Sequence, residues 1–96
     1  MNSTNDLSFS GSEEMNRVRV LFFATLRDDV GQRSLELNLP QNTTLAELED
    51  LLIGRYPRLE RMRGLMLAAV NRQYAAPDQV LPKNAEVAFF PPVSGG

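Results

Sequence analysis

Between Thr44 and Pro57 lies the one long stretch of this chain with a helical period, and the runs around it read as β-strand. Leu45, Leu48, Leu51 and Leu52 recur at helical spacing and make one apolar stripe, with Glu47, Glu49 and Asp50 elsewhere around the turn. Thr44 stands at the N-cap position, and Glu47 three residues later completes a capping box. The acids in the first turns suit the positive end of the helix dipole. Gly54 and Pro57 end the segment. A single helix covers only one face of a sheet, so the fold class is α+β.

The strands follow from composition and alternation. Val18 to Leu26 is dense in β-forming residues and predicts a first strand. Val18, Val20, Phe22 and Ala24 point one way, and Arg19, Leu21, Phe23 and Thr25 the other. Arg27 to Gly31 is a polar turn, and Ser34 to Leu39 alternates as a second, antiparallel strand. Beyond the helix, Leu65 to Val70 predicts a third strand. Asn71-Arg72-Gln73 is a turn, Tyr74 opens a short fourth strand, and Glu86 to Phe90 is the last. The simplest closure of this β-β-α-β-β-β order lays the last strand beside the first, parallel to it, through a right-handed connection. That is the β-grasp, ubiquitin-like arrangement: a mixed sheet of about five strands with one main helix on one face.

Ninety-six residues make one domain. Residues 17–90 form the expected globular part, 91–96 an extended tail, and 1–16 a disordered leader rich in Ser, Asn and acids. Met15 offers a second start. The chain has neither cysteine nor histidine, which excludes disulfides, thiolate nucleophiles, Cys/His zinc sites and imidazole catalysis. Asp6, Glu13 and Glu14 precede every basic residue, and the rest is nearly neutral, which argues against nucleic acid. No apolar run reaches membrane-spanning length and no signal pattern opens the chain, so a cytoplasmic protein is expected. Arg55, Arg58, Arg61 and Arg63 crowd the segment after the helix, which has room for one further helical turn; they read either as a solvated surface or as a patch for an anion.

Two features stand apart from this structural pattern. If the helix covers the face of Val18, Val20 and Phe22, then Leu21, Phe23 and Phe90 crowd the open face, where an antiparallel sheet is ordinarily polar. Either loops cover them, or the faces are reversed, or they form a partner surface. The second feature is the end, Pro91-Pro92-Val93-Ser94-Gly95-Gly96. The prolines cannot continue a ladder and direct the chain outward in an extended form. The six residues reach roughly 20 Å. The glycines leave a thin thread whose only functional group is the Gly96 carboxylate.

These segments resemble a known family. Val20-Leu21-Phe22-Phe23-Ala24-Thr25-Leu26-Arg27, Ala69-Val70-Asn71, and the whole run from Glu86 through Gly96 are similar to the small subunit of molybdopterin synthase, the MoaD family. The similarity runs from about Val18 to Gly96, and Pro82-Lys83-Asn84-Ala85 departs from the acidic, glycine-containing turn of many members. The resemblance implies a sulfur carrier that is non-catalytic alone. An E1-like adenylyltransferase of the MoeB type would activate the Gly96 carboxylate with ATP, and sulfur transfer would leave a thiocarboxylate. The tail, with Gly95 beside the reacting end, would then enter a large subunit of the MoaE type and donate sulfur to cyclic pyranopterin monophosphate, forming the dithiolene. A hetero-oligomer is implied, with no cofactor or metal bound by the carrier itself. Phe23, Phe90, Pro91, Pro92, Val93 and Ser94 are the expected partner-binding residues. Arg27 is either a further polar contact or a solvated turn arginine. A carrier for thiamine or tRNA thiolation, and a ubiquitin-like modifier, are the alternatives.

Overall fold

A computed structural model describes residues 15–92, so Val93, Ser94, Gly95 and Gly96 lie outside the described residues, as does the leader up to residue 14. The elements are β1 (Met15–Phe22), α1 (Thr25–Val30), β2 (Ser34–Pro40), α2 (Leu45–Arg55), a 3-10 segment (Pro57–Met62), β3 (Leu67–Val70), β4 (Gln73–Tyr74) and β5 (Glu86–Phe90). They form one five-stranded sheet in the order β2-β1-β5-β3-β4. β1 pairs antiparallel with β2 and parallel with β5, and β3 pairs antiparallel with both β5 and β4. This is the expected α+β β-grasp, with the last strand parallel to the first.

Alternation decides the two faces. Val18, Val20, Phe22, Val87 and Phe89 are buried beneath α2, whose Leu45, Leu48, Leu52 and Ile53 complete the core. Leu51, expected in the helical stripe, is instead 46% exposed, and Ile53 takes its place. At 100° per residue Leu51 lies on the flank of the arc that Leu45, Leu48 and Leu52 share.

The start of α2 is fully satisfied. The Thr44 side chain accepts from the Glu47 amide at 3.2 Å and the Glu47 carboxylate accepts from the Thr44 amide at 2.9 Å, the expected capping box. The Leu45 and Ala46 amides donate to the Gln79 and Pro77 carbonyls, so the long connection before β5 is tied across the helix N-terminus.

The expected first strand stops early. β1 ends at Phe22, and Ala24, Thr25 and Leu26 do not continue it. Ala24 has φ 54° and ψ −132°, and the Arg27 amide donates to the Ala24 carbonyl at 3.1 Å while the Leu26 amide donates to Phe23 at 3.2 Å. That geometry is a type II′ turn with alanine where glycine is usual. It swings the chain into the short α1, and Leu26 and Val30 enter the core from there. The residues expected as a polar turn, Arg27 to Val30, are therefore helical.

The strand also begins earlier than the leader boundary allowed. Asn16, assigned from sequence to the leader, is 4% exposed. Its Nδ2 donates to the Pro82 carbonyl at 2.9 Å, and its Oδ1 accepts from the Asn84 amide at 2.7 Å. Asn16 thus clips the turn at Pro82–Asn84 to the start of β1. The basic segment after α2 forms the 3-10 turn, and it is partly ion-paired: Arg61 to Asp29 at 2.9 Å, and Arg63 to both Glu60 and Asp50. The hydrogen bond from Arg63 holds the Glu60 carboxyl below its usual range. Among the described residues no helix is long and apolar enough to cross a membrane.

Two substitutions test these joints. Asn16→Ala leaves the Asn84 amide without its side-chain acceptor and the Pro82 carbonyl with only the Ala85 amide, and lowers unfolding stability by about 1–3 kcal/mol; urea titration reads this as a reduced midpoint at unchanged slope. Ala24→Gly removes the penalty for φ > 0 and raises stability by about 1 kcal/mol in the same titration, net of the greater chain entropy of glycine.

Candidate functional site

β1 and β5 each contain a Phe-Phe dipeptide at their C-terminal end, Phe22-Phe23 and Phe89-Phe90. Parallel pairing puts Phe22 opposite Phe89, and the Phe23 amide donates to the Phe89 carbonyl at 3.2 Å. Successive side chains point to opposite faces, so each dipeptide sends one ring into the core and one to the open face. Inside, Phe22 and Phe89 stack with centroids 6.3 Å apart, and Tyr56 meets Phe22 edge-on at 6.5 Å. Outside, Phe23 and Phe90 stack at 4.8 Å with planes only 10° apart.

The outer pair forms one wall of a shallow hollow of about 370 Å³ on the open face, with Leu21, Ala69, Arg72, Tyr74, Glu86 and Ala88 around it. Phe23 is 43% exposed and Tyr74 78%. Leu67, paired with Phe90 across β3 and β5, adds another exposed apolar side chain to the same face. Among the described residues no loop roofs the hollow, and the faces are not reversed. Of the three explanations open from the sequence, a large apolar surface turned to solvent is the one the geometry leaves.

Phe23 and Phe90, the residues expected to bind a partner, are brought into direct contact. Pro91 is half-buried and Pro92 exposed, and both follow β5 without joining the ladder. The tail therefore departs from the rim of the hollow. Val93, Ser94, Gly95 and Gly96 lie outside the described residues. Arg27 is not in a polar turn but on α1, where it lines a second shallow basin with Arg19, Arg33, Leu21, Phe23 and Ser34.

Several residues of the site escaped the sequence reading. Ala88 shares a face with Phe90 by alternation and was legible as such, but Ala69, Arg72 and Tyr74 come from strands whose neighbours sequence does not reveal. Arg72 is held at φ 72° and Asn71 at φ 50°, the two central positions of a type I′ hairpin turn. The Asn71 side chain accepts from the Glu86 amide at 2.9 Å, which fixes this turn to the start of β5. The turn leaves Arg72 at the edge of the hollow, although arginine is a poor residue for that conformation.

Comparison with known proteins agrees with this geometry. The ThiS family model matches residues 20–96. The chain is 38% identical over 81 residues to the molybdopterin synthase sulfur carrier subunit of Escherichia coli (strain K12), a match covering 82% of this chain and 99% of that one. It is 36% identical over 84 residues to the protein of the same name from Caenorhabditis briggsae, covering 85% of this chain and 100% of that one. Among solved structures, SAMP1 from Haloferax volcanii aligns with a TM-score of 0.73 at 27% identity, over 84% of this chain and 100% of that one.

The exposed stack is testable without a partner. A double-mutant cycle with Phe23→Ala and Phe90→Ala, read by urea denaturation, is expected to give a coupling of about 0.5–1.5 kcal/mol. Additive losses would mean that the rings do not stack in solution.

Proposed function

The chain belongs to the ThiS family, and from that premise we propose that it is the sulfur carrier subunit of a molybdopterin synthase. The observation that carries the reading is the placement of the stacked Phe23 and Phe90 where the Pro91-Pro92 tail leaves the sheet. A docking face and the root of a threadable arm share one strand end. The naming of the relatives as sulfur carrier subunits supports the reading.

With no cysteine or histidine in the chain, no side chain carries sulfur as a thiol. The reacting group is then the carboxylate of Gly96. A carboxylate oxygen is a poor leaving group, so an E1-like adenylyltransferase of the MoeB type converts it to an acyl-adenylate, with ATP as the co-substrate and pyrophosphate released. A sulfide-level nucleophile displaces AMP and leaves the thiocarboxylate, anionic at neutral pH and nucleophilic through sulfur. In the large subunit, of the MoaE type, that sulfur passes to cyclic pyranopterin monophosphate, and the Gly96 carboxylate is regenerated by water. A dithiolene needs two sulfurs, so the carrier is charged and used twice for each product.

The chain's own residues act by placement. Leu21, Phe23 and Phe90 supply the desolvated contact that holds the large subunit or the activating enzyme, a hetero-oligomer in either case. Pro91 and Pro92 stiffen the base of the arm, Val93 and Ser94 continue it, and Gly95 and Gly96 pass a channel too narrow for side chains. Arg27 sits beside Phe23 as a polar contact for the same partner. Acid, base and phosphate-binding groups come from the partners, so the carrier alone is inert. A cytoplasmic location fits the supply of ATP.

SAMP1 is named a small archaeal modifier protein, and the likeness to it favours a second reading, in which Gly96 forms isopeptide bonds with lysines of other proteins. A carrier for thiamine or tRNA thiolation remains within the same chemistry, and it differs in that its loss leaves molybdoenzymes active.

Co-expression with an E1-like enzyme and a sulfur source is expected to give an intact mass heavier by one oxygen-to-sulfur exchange. An unchanged mass beside an active E1 would overturn the proposal, and adducts on lysines would favour the modifier. Deletion of Gly96 should abolish sulfur transfer while leaving the circular dichroism spectrum and urea midpoint unchanged.

A further inference from the structure

The register of the sheet sorts the open face into rows. Leu67, Phe90 and Phe23 stand side by side at the end where the tail leaves. Next to them run Ala69, Ala88 and Leu21, again as cross-strand neighbours. A third row is charged: Glu36 opposes Arg19, Arg19 opposes Glu86, and Arg72 lines the hollow together with Glu86. Its signs therefore alternate across the sheet. Among the described residues the side chains of Arg19, Glu86 and Arg72 have neither an ion pair nor a hydrogen bond, whereas Arg17, Arg61 and Arg63 all have carboxylate partners. Neighbouring charges of opposite sign that stay unpaired beside exposed rings are open to a partner.

We propose that this partner is a second copy of the chain, packed face to face about a two-fold axis that runs along the strands between β1 and β5. A half-turn about that line sets β1 over β5 and β2 over β3 of the opposing sheet. Phe23 then meets the second copy's Phe90, and Leu21 meets its Ala88, large against small. In the charged row Arg19 meets Glu86, and Glu36 meets Arg72. Every one of these contacts joins opposite signs, and the symmetry makes each of them twice. A half-turn about a line across the strands would instead lay the rings on the charged row. The face is thus self-complementary in one orientation. Glu36 is bound to Arg17 but its side chain is still 52% exposed, which leaves room for a second guanidinium. Arg27 on α1 and Arg33 ahead of β2 stand outside the rows and are exposed to water. The positive φ of Arg72, a cost to the lone domain, holds its guanidinium at the end of the charged row.

Size sets the strength of this contact. Strands ~4.8 Å apart and rows ~6.7 Å apart make a face of roughly 20 Å by 20 Å. With the rings standing out of it, that is about 500 Å² of accessible surface on each copy, or ~1,000 Å² in all, the low end for specific complexes. The dimer is therefore weak and reversible, with a Kd on the order of 0.1–1 mM. One consequence rests on the proposed function. The dimer covers Phe23 and Phe90, so a large subunit that docks there must displace the second copy.

Sedimentation equilibrium and amide shifts of the full chain, followed from well below to well above that Kd, test the proposal. A monomer–dimer equilibrium is expected, with shifts concentrated at Leu21, Phe23 and Ala88. Arg19→Glu and Glu86→Arg should each weaken it about tenfold or more, because each sets like charges opposite one another at two places. The two single variants mixed together, and the double variant alone, should regain the parental affinity. Phe23→Ser should abolish association with the circular dichroism spectrum unchanged. A chain that stays monomeric throughout, a dimer indifferent to both charge reversals, or one that the double variant does not restore would overturn the proposal. Titration with a large synthase subunit should dissociate the dimer as it binds. A dimer that persists in the complex would overturn the competition. A large subunit that fails to bind would overturn the proposed function, while sedimentation still decides the self-association.

Discussion

The parallel pairing of β1 with β5 is the constraint on which the rest of the molecule depends. It joins the first and last strands of the sheet through the register Phe22 to Phe89. That register aligns two Phe-Phe dipeptides, and the two-residue period of a strand then yields an aromatic pair on each side of the sheet. The inner pair is core and the outer pair is the exposed stack. A slip of one residue would send Phe23 inward and Phe22 to solvent, and would turn Val18 and Val20 outward with them. Core and exposed aromatic face are therefore specified by one choice of register.

The elements around this pairing hold it from both ends. At the N-terminal end of β1, Asn16 fixes the turn that feeds β5, through bonds to Pro82 and Asn84. At the C-terminal end, the turn at Ala24 ends β1 directly after Phe23, so the ring stands at a strand terminus rather than in a continuous ladder. On the other flank of β5, the Asn71 side chain and backbone both bond to Glu86. Ala24, Asn71 and Arg72 all have positive φ without being glycine. Conformations of that kind cost about 1–3 kcal/mol each and persist where the surroundings over-determine them. Of the three, Arg72 lines the open hollow, which is where the molecule also leaves its aromatic surface unburied.

Much of this was legible in the sequence because it rests on local patterns. The alternation of Val18, Val20 and Phe22, the capping box of Thr44 and Glu47, and the non-donating Pro91-Pro92 each report a short-range physical requirement. The outward position of Phe23 and Phe90 followed from alternation once the covered face was known. What escaped was decided by longer-range or strained features. Leu26 closes a run interrupted only by the β-forming Thr25, and nothing in its composition shows that the chain reverses at an alanine; the core accepts Leu26 from a helix as readily as from a strand. Asn16 looked like part of a polar leader, because its partners are backbone groups more than sixty residues away. Arg72 and Tyr74 joined the site through a strand order that hydrophobic patterning does not encode.

The proposed sulfur-carrier function, with its division of labour between body and tail, accounts for an otherwise poor surface. Stacked phenylalanines on an open sheet add little to the stability of a lone domain and raise its tendency to associate. Their use requires that something be positioned relative to them, and the rigid exit at Pro91 is the group they can position, since Phe90 and Pro91 are adjacent. A flexible arm several residues long samples a large volume, and each entry into a partner's pocket would carry that entropic cost. Anchoring its base through two rings and two prolines restricts the search to the last few residues, where the absence of side chains matters most. Under the proposed function the chemistry would be left to a terminus without a catalytic group, with orientation supplied by the sheet and reactivity by the partners.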